Sequence, residues 1–352
     1  MTDRSPGTAG FPGATRPIAE ARSGPVTTYR SPSPESRALY WGARATLRQV
    51  YRAWPLTETG IRGLAAVERG FARLPQVPGV HVEPGELGGV PVTSMTPARA
   101  AGVELPPAGS PPAATAQSAA PLTDTSVLYL HGGAFIFCGP DTHRRVCASL
   151  ATGLGVPVHA ARYRKLPEVG VGTVVDDAYA AYRALSEQLP SGHRIVVAGD
   201  SAGGFLSAKL CELAALDGIR RPAAVVGYSP LLDLDGDIRD THRIYRDAYQ
   251  PASTVLRAQR LWAQDPDRLR GARSMLEVDP AAFPPTLITL AAGELVEPAA
   301  LALTEHLHSA GGTVETHRWH TTVHAFPVLS GLFPESRQAR DITLEFLRTQ
   351  LN

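Results

Sequence analysis

From residue 125 onward, the hydrophobic positions fall into two alternating textures. Short, nearly continuous apolar runs at Val127-Leu128-Tyr129-Leu130, 156–161, Arg194-Ile195-Val196-Val197-Ala198, 223–227 and 286–291 predict strands. Longer periodic stretches at 141–154, at 174–189 and from the turn after 198 through 215 predict helices between them. Strands that read as unbroken apolar runs are buried on both faces, so this alternation predicts an α/β chain: a mostly parallel central sheet with helices on both faces. Upstream, Ser33-Pro34-Glu35 reads as an N-cap, a proline at the first helical position and an acid in the first turn. Leu39/Tyr40, Ala43, Leu47, Val50/Tyr51 and Trp54 then recur at a helical period. Arg44, Arg48 and Arg52 share the opposite face, read as solvated. A second helix is predicted over 59–74, with Ile61, Leu64, Val67 and Phe71 on one side. Val80-His81-Val82 and Val90-Pro91-Val92 flank Gly85, Gly88 and Gly89, the pattern of a hairpin.

Three stretches break these patterns. Residues 1–35, crowded with Gly, Pro, Ser and Thr, read as a disordered leader with no apolar run for a signal peptide. Residues 98–125 are Ala/Pro-rich and read as a surface excursion. The charged segment 235–285, with Tyr245, Tyr249, Leu256, Leu261 and Trp262, is too long for a crossover and calls for one or two extra helices.

Length and composition narrow the classes. The chain has 352 residues, room for one large α/β domain or two smaller ones. With 43% hydrophobic and 19% charged residues it holds enough apolar surface for a core. Lys+Arg 34 against Asp+Glu 33 leaves a formal charge of +1, which carries no footprint for nucleic acid or an anionic membrane. No apolar stretch reaches the length of a membrane span. Cys138, Cys147 and Cys211 form no C-x-x-C pair and read as thiols in a reducing cytoplasm. Glu305, His306 and His308 read as a solvated helix face rather than a metal cluster, and Gly170-Val171-Gly172 lacks the rest of a dinucleotide fingerprint. Neither metal nor cofactor is expected.

Two local features carry chemistry. Gly199-Asp200-Ser201-Ala202-Gly203-Gly204 follows a predicted strand and precedes a predicted helix. A G-x-S-x-G sequence alone is weak, but in that context a serine sits on a sharp turn that exposes its hydroxyl, near amides at a helix N-terminus. His131-Gly132-Gly133-Ala134-Phe135 follows another strand, and its glycines let the backbone aim N–H groups at a substrate oxygen.

The motifs together resemble the bacterial hormone-sensitive lipase family (family IV) of α/β-hydrolase esterases. His131 to Ala134 resembles the family's H-G-G-G loop, and Tyr163-Arg164 with Pro167-Glu168 its D-Y-R-L-A-P-E. Asp177-Ala178-Tyr179, Gly199 to Gly204, Ser229-Pro230 with Asp233-Leu234, Phe283-Pro284-Pro285-Thr286 and Val323-His324-Ala325-Phe326 follow in the family's order. The likeness runs from about residue 36 to the C-terminus. The chain departs from the pattern at Ala134, whose methyl narrows the pocket, and at Arg162, Lys165 and Leu166. It departs also at the acid, where Gly293-Glu294-Leu295-Val296-Glu297 replaces the usual aspartate motif. Glu294 stands 30 residues before His324 and matches the acid by spacing, with Glu297 as runner-up.

The resemblance implies an α/β-hydrolase fold with a helical cap made of residues 36–75 and an insertion at about 235–279. It implies a triad of Ser201, Glu294 and His324, an oxyanion hole from the Gly132, Gly133 and Ala202 amides, and a pocket walled by Ala134, Phe135, Trp41, Tyr249 and Trp262. The implied reaction is hydrolysis of short- to medium-chain acyl esters, with a small-molecule ester as partner and a homodimer left open. Acyl transfer by the same intermediate, and a non-catalytic binding protein on this scaffold, remain as alternatives.

Overall fold

In the computed structural model of the chain, residues 19–73, 75, 77–98, 122–236, 247–264 and 268–352 are described. Most of the leader, residues 99–121 of the Ala/Pro-rich excursion, and Tyr245 lie outside them. Among the described residues one sheet of ten strands forms: β1 (Ala19–Ser23), β2 (Val26–Tyr29), β3 (Val80–Leu87), β4 (Val90–Pro97), β5 (Thr125–Leu130), β6 (Val158–Ala161), β7 (Arg194–Asp200), β8 (Ala224–Tyr228), β9 (Thr286–Ala291) and β10 (Val314–Trp319). Their spatial order is β1-β2-β10-β9-β8-β7-β5-β6-β4-β3. The six neighbouring pairs from β2 to β6 are parallel, and the ends are closed by antiparallel pairing of β1 with β2, β4 with β6 and β3 with β4.

The apolar runs divide between two cores by strand alternation. Leu128 and Leu130 of β5 and Ile195 and Val197 of β7 enter one core. Val127, Tyr129, Val196 and Ala198 enter the other. The first core is covered by α5 (Val171–Gln188) and α6 (Ala202–Asp217), the second by α4 (Pro140–Leu154) and α9 (Pro334–Leu351). Every residue of α6 from Ala202 to Ala214 is buried, and its sequence is correspondingly apolar all round. Its one lysine, Lys209, is paired there with Glu212 Oε2 at 2.6 Å and caps the carbonyl of Ala272 at 2.6 Å. The predicted hairpin is a two-residue turn at Gly88-Gly89, both with positive φ (59° and 82°), between Leu87 and Val90.

Three expectations need correction. The leader is not wholly irregular: Val26-Thr27-Thr28-Tyr29 has β-branched and aromatic residues, and as β2 it pairs in parallel with β10 at the sheet edge. The first predicted helix is two, α1 (Pro34–Ala45) and α2 (Leu47–Ala53), broken at Thr46. Its basic face is not solvated throughout, because Arg48 is buried and donates to the carbonyl of Asp247 at 2.7 Å. Ser33 does cap α1 through the Ser36 amide (3.0 Å), and Ser33 also reaches Glu335 of α9.

The two segments expected to make the cap touch each other. Helix α3 (Glu58–Ala72) is the second predicted helix, and α7 (Ala252–Trp262) is the insertion's main helix. Thr254 of α7 donates to the Tyr51 carbonyl of α2 at 2.9 Å. The two positions where the chain departs from the family motif by charge also act here: Lys165 pairs with Glu68 of α3 at 2.6 Å and bonds the Cys138 carbonyl at 2.7 Å, while Arg162 pairs with Asp141 at 2.7 Å. No helix among the described residues is long and apolar enough to cross a membrane.

Candidate active site

Parallel strands present their C-terminal ends at one sheet edge, and ligands gather where successive crossovers leave in opposite directions. That point lies between β5 and β7: the chain runs from β5 to β6 on one side, then back across to β7 and β8. The loop after β5 carries residues 131–138, and the turn after β7 carries Ser201.

Ser201 has φ 50° and ψ −119°, a conformation that a side chain tolerates only when the surroundings enforce it. Its amide donates to the Tyr228 carbonyl at 3.0 Å, and its own carbonyl accepts from Leu231 at 2.9 Å, which locks the turn to β8 and its loop. Gly203 follows because a Cβ there would stand 1.9 Å from the Leu130 carbonyl oxygen. The helix behind the serine thus packs directly on β5.

His324 follows β10, and Glu294 follows β9. The imidazole Nδ1 lies 2.8 Å from Glu294 Oε2, and both side chains are buried. The other carboxylate oxygen accepts the Ala291 amide at 2.9 Å. Ser229 also hydrogen-bonds Glu294, and its hydroxyl accepts the Ala325 amide at 2.9 Å. The acid, the histidine loop and the end of β8 are therefore one hydrogen-bonded unit. Burial pushes the Glu294 carboxyl up, against the pull of His324 and Ser229. Burial alone draws the imidazole down, but the hydrogen bond and charge of Glu294, aided by Asp247 and Asp200, outweigh it and leave His324 raised. Nε2 of His324 is buried without a hydrogen-bond partner, so the Ser201–His324 bond is not made in this structure. Such bonds commonly tighten only when substrate is bound.

The runner-up acid is engaged elsewhere. Glu297 accepts the Gly293 amide at 2.8 Å and pairs with Arg318. His317 lies within β10, 3.0 Å from the Tyr29 hydroxyl.

The 131–138 loop is held by a buried polar cluster. Tyr163 donates to the His131 carbonyl at 2.5 Å and stacks on its ring at 4.1 Å. Asp200 Oδ1 accepts the Tyr129 hydroxyl (2.9 Å), the Gly132 amide (3.0 Å) and His143 Nε2 (3.0 Å). One expectation changes here: the Gly132 amide is committed to Asp200 and is not an available donor. The amides of Gly133 and Ala134 make no hydrogen bond among the described residues, and Ala202 opens α6, where an amide has no partner within the helix. Gly133 has φ 107°, and a Cβ there would stand 2.1 Å from the Phe137 carbonyl oxygen. Ala134 (φ 57°), Phe135 (φ 62°) and Cys138 (φ 71°) adopt left-handed conformations without being glycine.

Trp262 Nε1 donates to the Ala134 carbonyl at 3.0 Å and its ring meets Phe135 edge-on at 6.0 Å; both aromatics are buried and brace the loop from behind. Tyr249 is half-buried, its hydroxyl donating to the His324 carbonyl at 3.1 Å. Trp41 is not brought to this group: it is 61% exposed and borders a concavity with Gly293, Arg318 and His320. The residue types alone did not mark Ser229, His143 or Asp247 as parts of the site. Ser229 was visible only as a motif match.

Two stability predictions follow from this loop. Ala134→Gly removes a left-handed alanine, and the relief exceeds the added freedom of the unfolded chain, so unfolding in urea should show a gain of about 0.5–1 kcal/mol. For the Asp200–His143 pair, burial opposes both charges, yet each partner's attraction wins: His143 is raised and Asp200 lowered. The His143 contribution is full below its unfolded value of about 6.5 and fades as pH rises through its folded value. The Asp200 contribution is present above about 3.9 and fades as pH falls through its lowered folded value. The stability difference between the wild type and His143→Gln should thus be largest in mildly acidic solution and shrink toward alkaline pH.

Comparison with known proteins identifies the family and the fold. A family model for the alpha/beta hydrolase fold matches residues 127–328, and the chain belongs to that family. It is 34% identical over 234 residues to the carboxylesterase/phospholipase LipF of Mycobacterium tuberculosis, covering 63% of this chain and 61% of LipF. It is 32% identical over 225 residues to an acetyl-hydrolase of Streptomyces hygroscopicus, covering 64% of this chain and 75% of that protein. The chain thus spans about three-fifths of LipF's length. Among solved structures, the hormone-sensitive lipase homologue EstE7 from a metagenome library superposes with a TM-score of 0.71 at 26% identity, over 88% of this chain and 99% of that one. An esterase from the bacterial hormone-sensitive lipase family superposes with a TM-score of 0.73 at 26% identity, over 92% of this chain and all of that one. The motif resemblance is borne out at the level of family and fold.

Proposed function

We propose that the chain is a serine carboxylesterase acting on short- to medium-chain acyl esters. One observation carries the reading: a buried His324–Glu294 pair with an unpartnered Nε2, at the sheet edge where Ser201 is forced into a left-handed turn. A serine hydroxyl is a poor nucleophile near neutral pH, so an imidazole must take its proton as it attacks. His324 is suited to that, because Glu294 fixes Nδ1 as the protonated nitrogen and favours the imidazolium that forms. Ser201 Oγ bonds to the ester carbonyl carbon, and the proton passes to His324 Nε2. The charge that gathers on the carbonyl oxygen is met by the amides of Gly133, Ala134 and Ala202. The tetrahedral adduct collapses as His324 returns the proton to the leaving alcohol, and an acyl-enzyme remains. Water, deprotonated by His324, releases the acid and restores Ser201.

The loop's left-handed Ala134 and the half-buried Tyr249 would border the acyl group. The name of LipF supports an ester substrate, and that of the Streptomyces acetyl-hydrolase supports a small acyl part. A series of chromogenic esters of increasing chain length tests the reading. Turnover should be highest at the short end and fall for long chains; a complete lack of turnover across the series would contradict it.

A further inference from the structure

A second buried carboxylate sits on the turn that packs against His324. Asp247 is 2% exposed and opens the turn that leads into α7. Its Oδ1 accepts the amides of Tyr249 (3.0 Å) and Gln250 (2.8 Å), which fixes the turn, while Oδ2 is buried with no hydrogen-bond partner. A carboxylate oxygen left unbonded in the interior is costly unless a charge nearby compensates it. From the same turn, Tyr249 bonds the His324 carbonyl at 3.1 Å and meets its ring edge-on at 6.1 Å. On the other side, Arg48 of α2 donates to the carbonyls of Asp247 (2.7 Å) and Gln250 (3.3 Å), and Arg44 of α1 reaches the Asp247 carbonyl at 3.4 Å.

We propose that Asp247 is a positioning residue for His324: the 247–250 turn, clamped by Arg48, brings its carboxylate to favour the imidazolium that forms as Ser201 attacks. This rests on the esterase reading above. The charges facing His324 are Glu294 from the loop after β9, Asp200 from the end of β7 and Asp247 from the turn. Those facing Asp247 include His324 and, from the N-terminal helices, Arg48. Burial pushes the Asp247 carboxyl up, and His324 together with the amides of Gln250, Tyr249 and Leu295 draws it back. The base is therefore electrostatically complete only when the N-terminal helices are docked on the turn. That gives the basic face of the first helices a task beyond solvation.

The test is the pH dependence of Ser201 labelling by a fluorophosphonate in the full chain. Labelling needs His324 neutral, so its acid limb reports the imidazole directly. Asp247→Asn keeps the shape and an oxygen for the two amides but loses the charge. Its acid limb should shift to lower pH by about half a unit or more, and the plateau rate should fall about three- to tenfold, since a weaker base transfers the proton less readily. Asp247→Ser, which also retains an acceptor, should show the same shift and serves if the asparagine variant melts below the assay temperature. An acid limb that superimposes on the wild type in these folded variants overturns the proposal. If the wild type itself is not labelled at Ser201, the esterase reading fails instead, and the two failures are told apart.

Discussion

Replacing Ser201 by alanine should lower ester turnover by about 10⁴-fold or more, because the hydroxyl on the turn after β7 disappears. The fold should survive this change. Ser201 is tied to its neighbours through its backbone, donating to Tyr228 and accepting from Leu231, and alanine keeps both bonds. The left-handed conformation is enforced by the packing of α6 on β5, so the variant should melt within a few degrees of the wild type. Retention of more than a few per cent of the activity in a folded Ser201→Ala protein would show that another group is the nucleophile. Loss of the fold would show that the turn depends on the hydroxyl.

The second large effect separates the two glutamates of the loop after β9. Glu294→Gln keeps the size of the side chain but removes the charge that favours the imidazolium and the acceptor that fixes its tautomer. By analogy with triads whose acid has been made an amide, kcat should fall about 10³–10⁴-fold. Glu297→Gln should behave differently. Its partners are Arg318 and the Gly293 amide rather than His324, so the main effect should be a stability loss of about 2 kcal/mol from a weakened buried pair. Chemical denaturation and steady-state kinetics on both variants decide the assignment, and a larger kinetic loss at 297 would move the acid there.

The amino-acid sequence disclosed the architecture wherever burial has a period. Continuous apolar strands such as Val127 to Leu130 can be stable only between two helical layers, and they lie there. The Gly88-Gly89 turn and the Ser33 cap were legible because each depends on local backbone chemistry. The pairing of His324 with Glu294 rather than Glu297 was legible through spacing and motif order. What was not legible depends on contacts remote in the chain. Val26 to Tyr29 becomes a strand because β10 offers it a free edge, and nothing in a stretch rich in glycine, proline and serine announces that. Arg48 occupies the same helical stripe as Arg44 and Arg52, and only the docking of residues 247–250 turns it inward. The motif reads Gly132 as an oxyanion donor, but the Asp200 carboxylate, remote in the chain, occupies its amide. Trp41 and Trp262 are both tryptophans in segments expected to form the cap. One faces solvent and the other braces the 131–138 loop, a difference set by the tertiary path alone.

The central claim is that one serine, activated by the His324–Glu294 pair, forms a covalent acyl-enzyme. Intact-mass analysis after treatment with a fluorophosphonate, followed by peptide mapping, addresses it most directly. A single stoichiometric adduct on the peptide carrying Ser201, absent when His324 is replaced by alanine, is the predicted result. An adduct on a different residue, or none under conditions where the protein hydrolyses esters, would contradict the account.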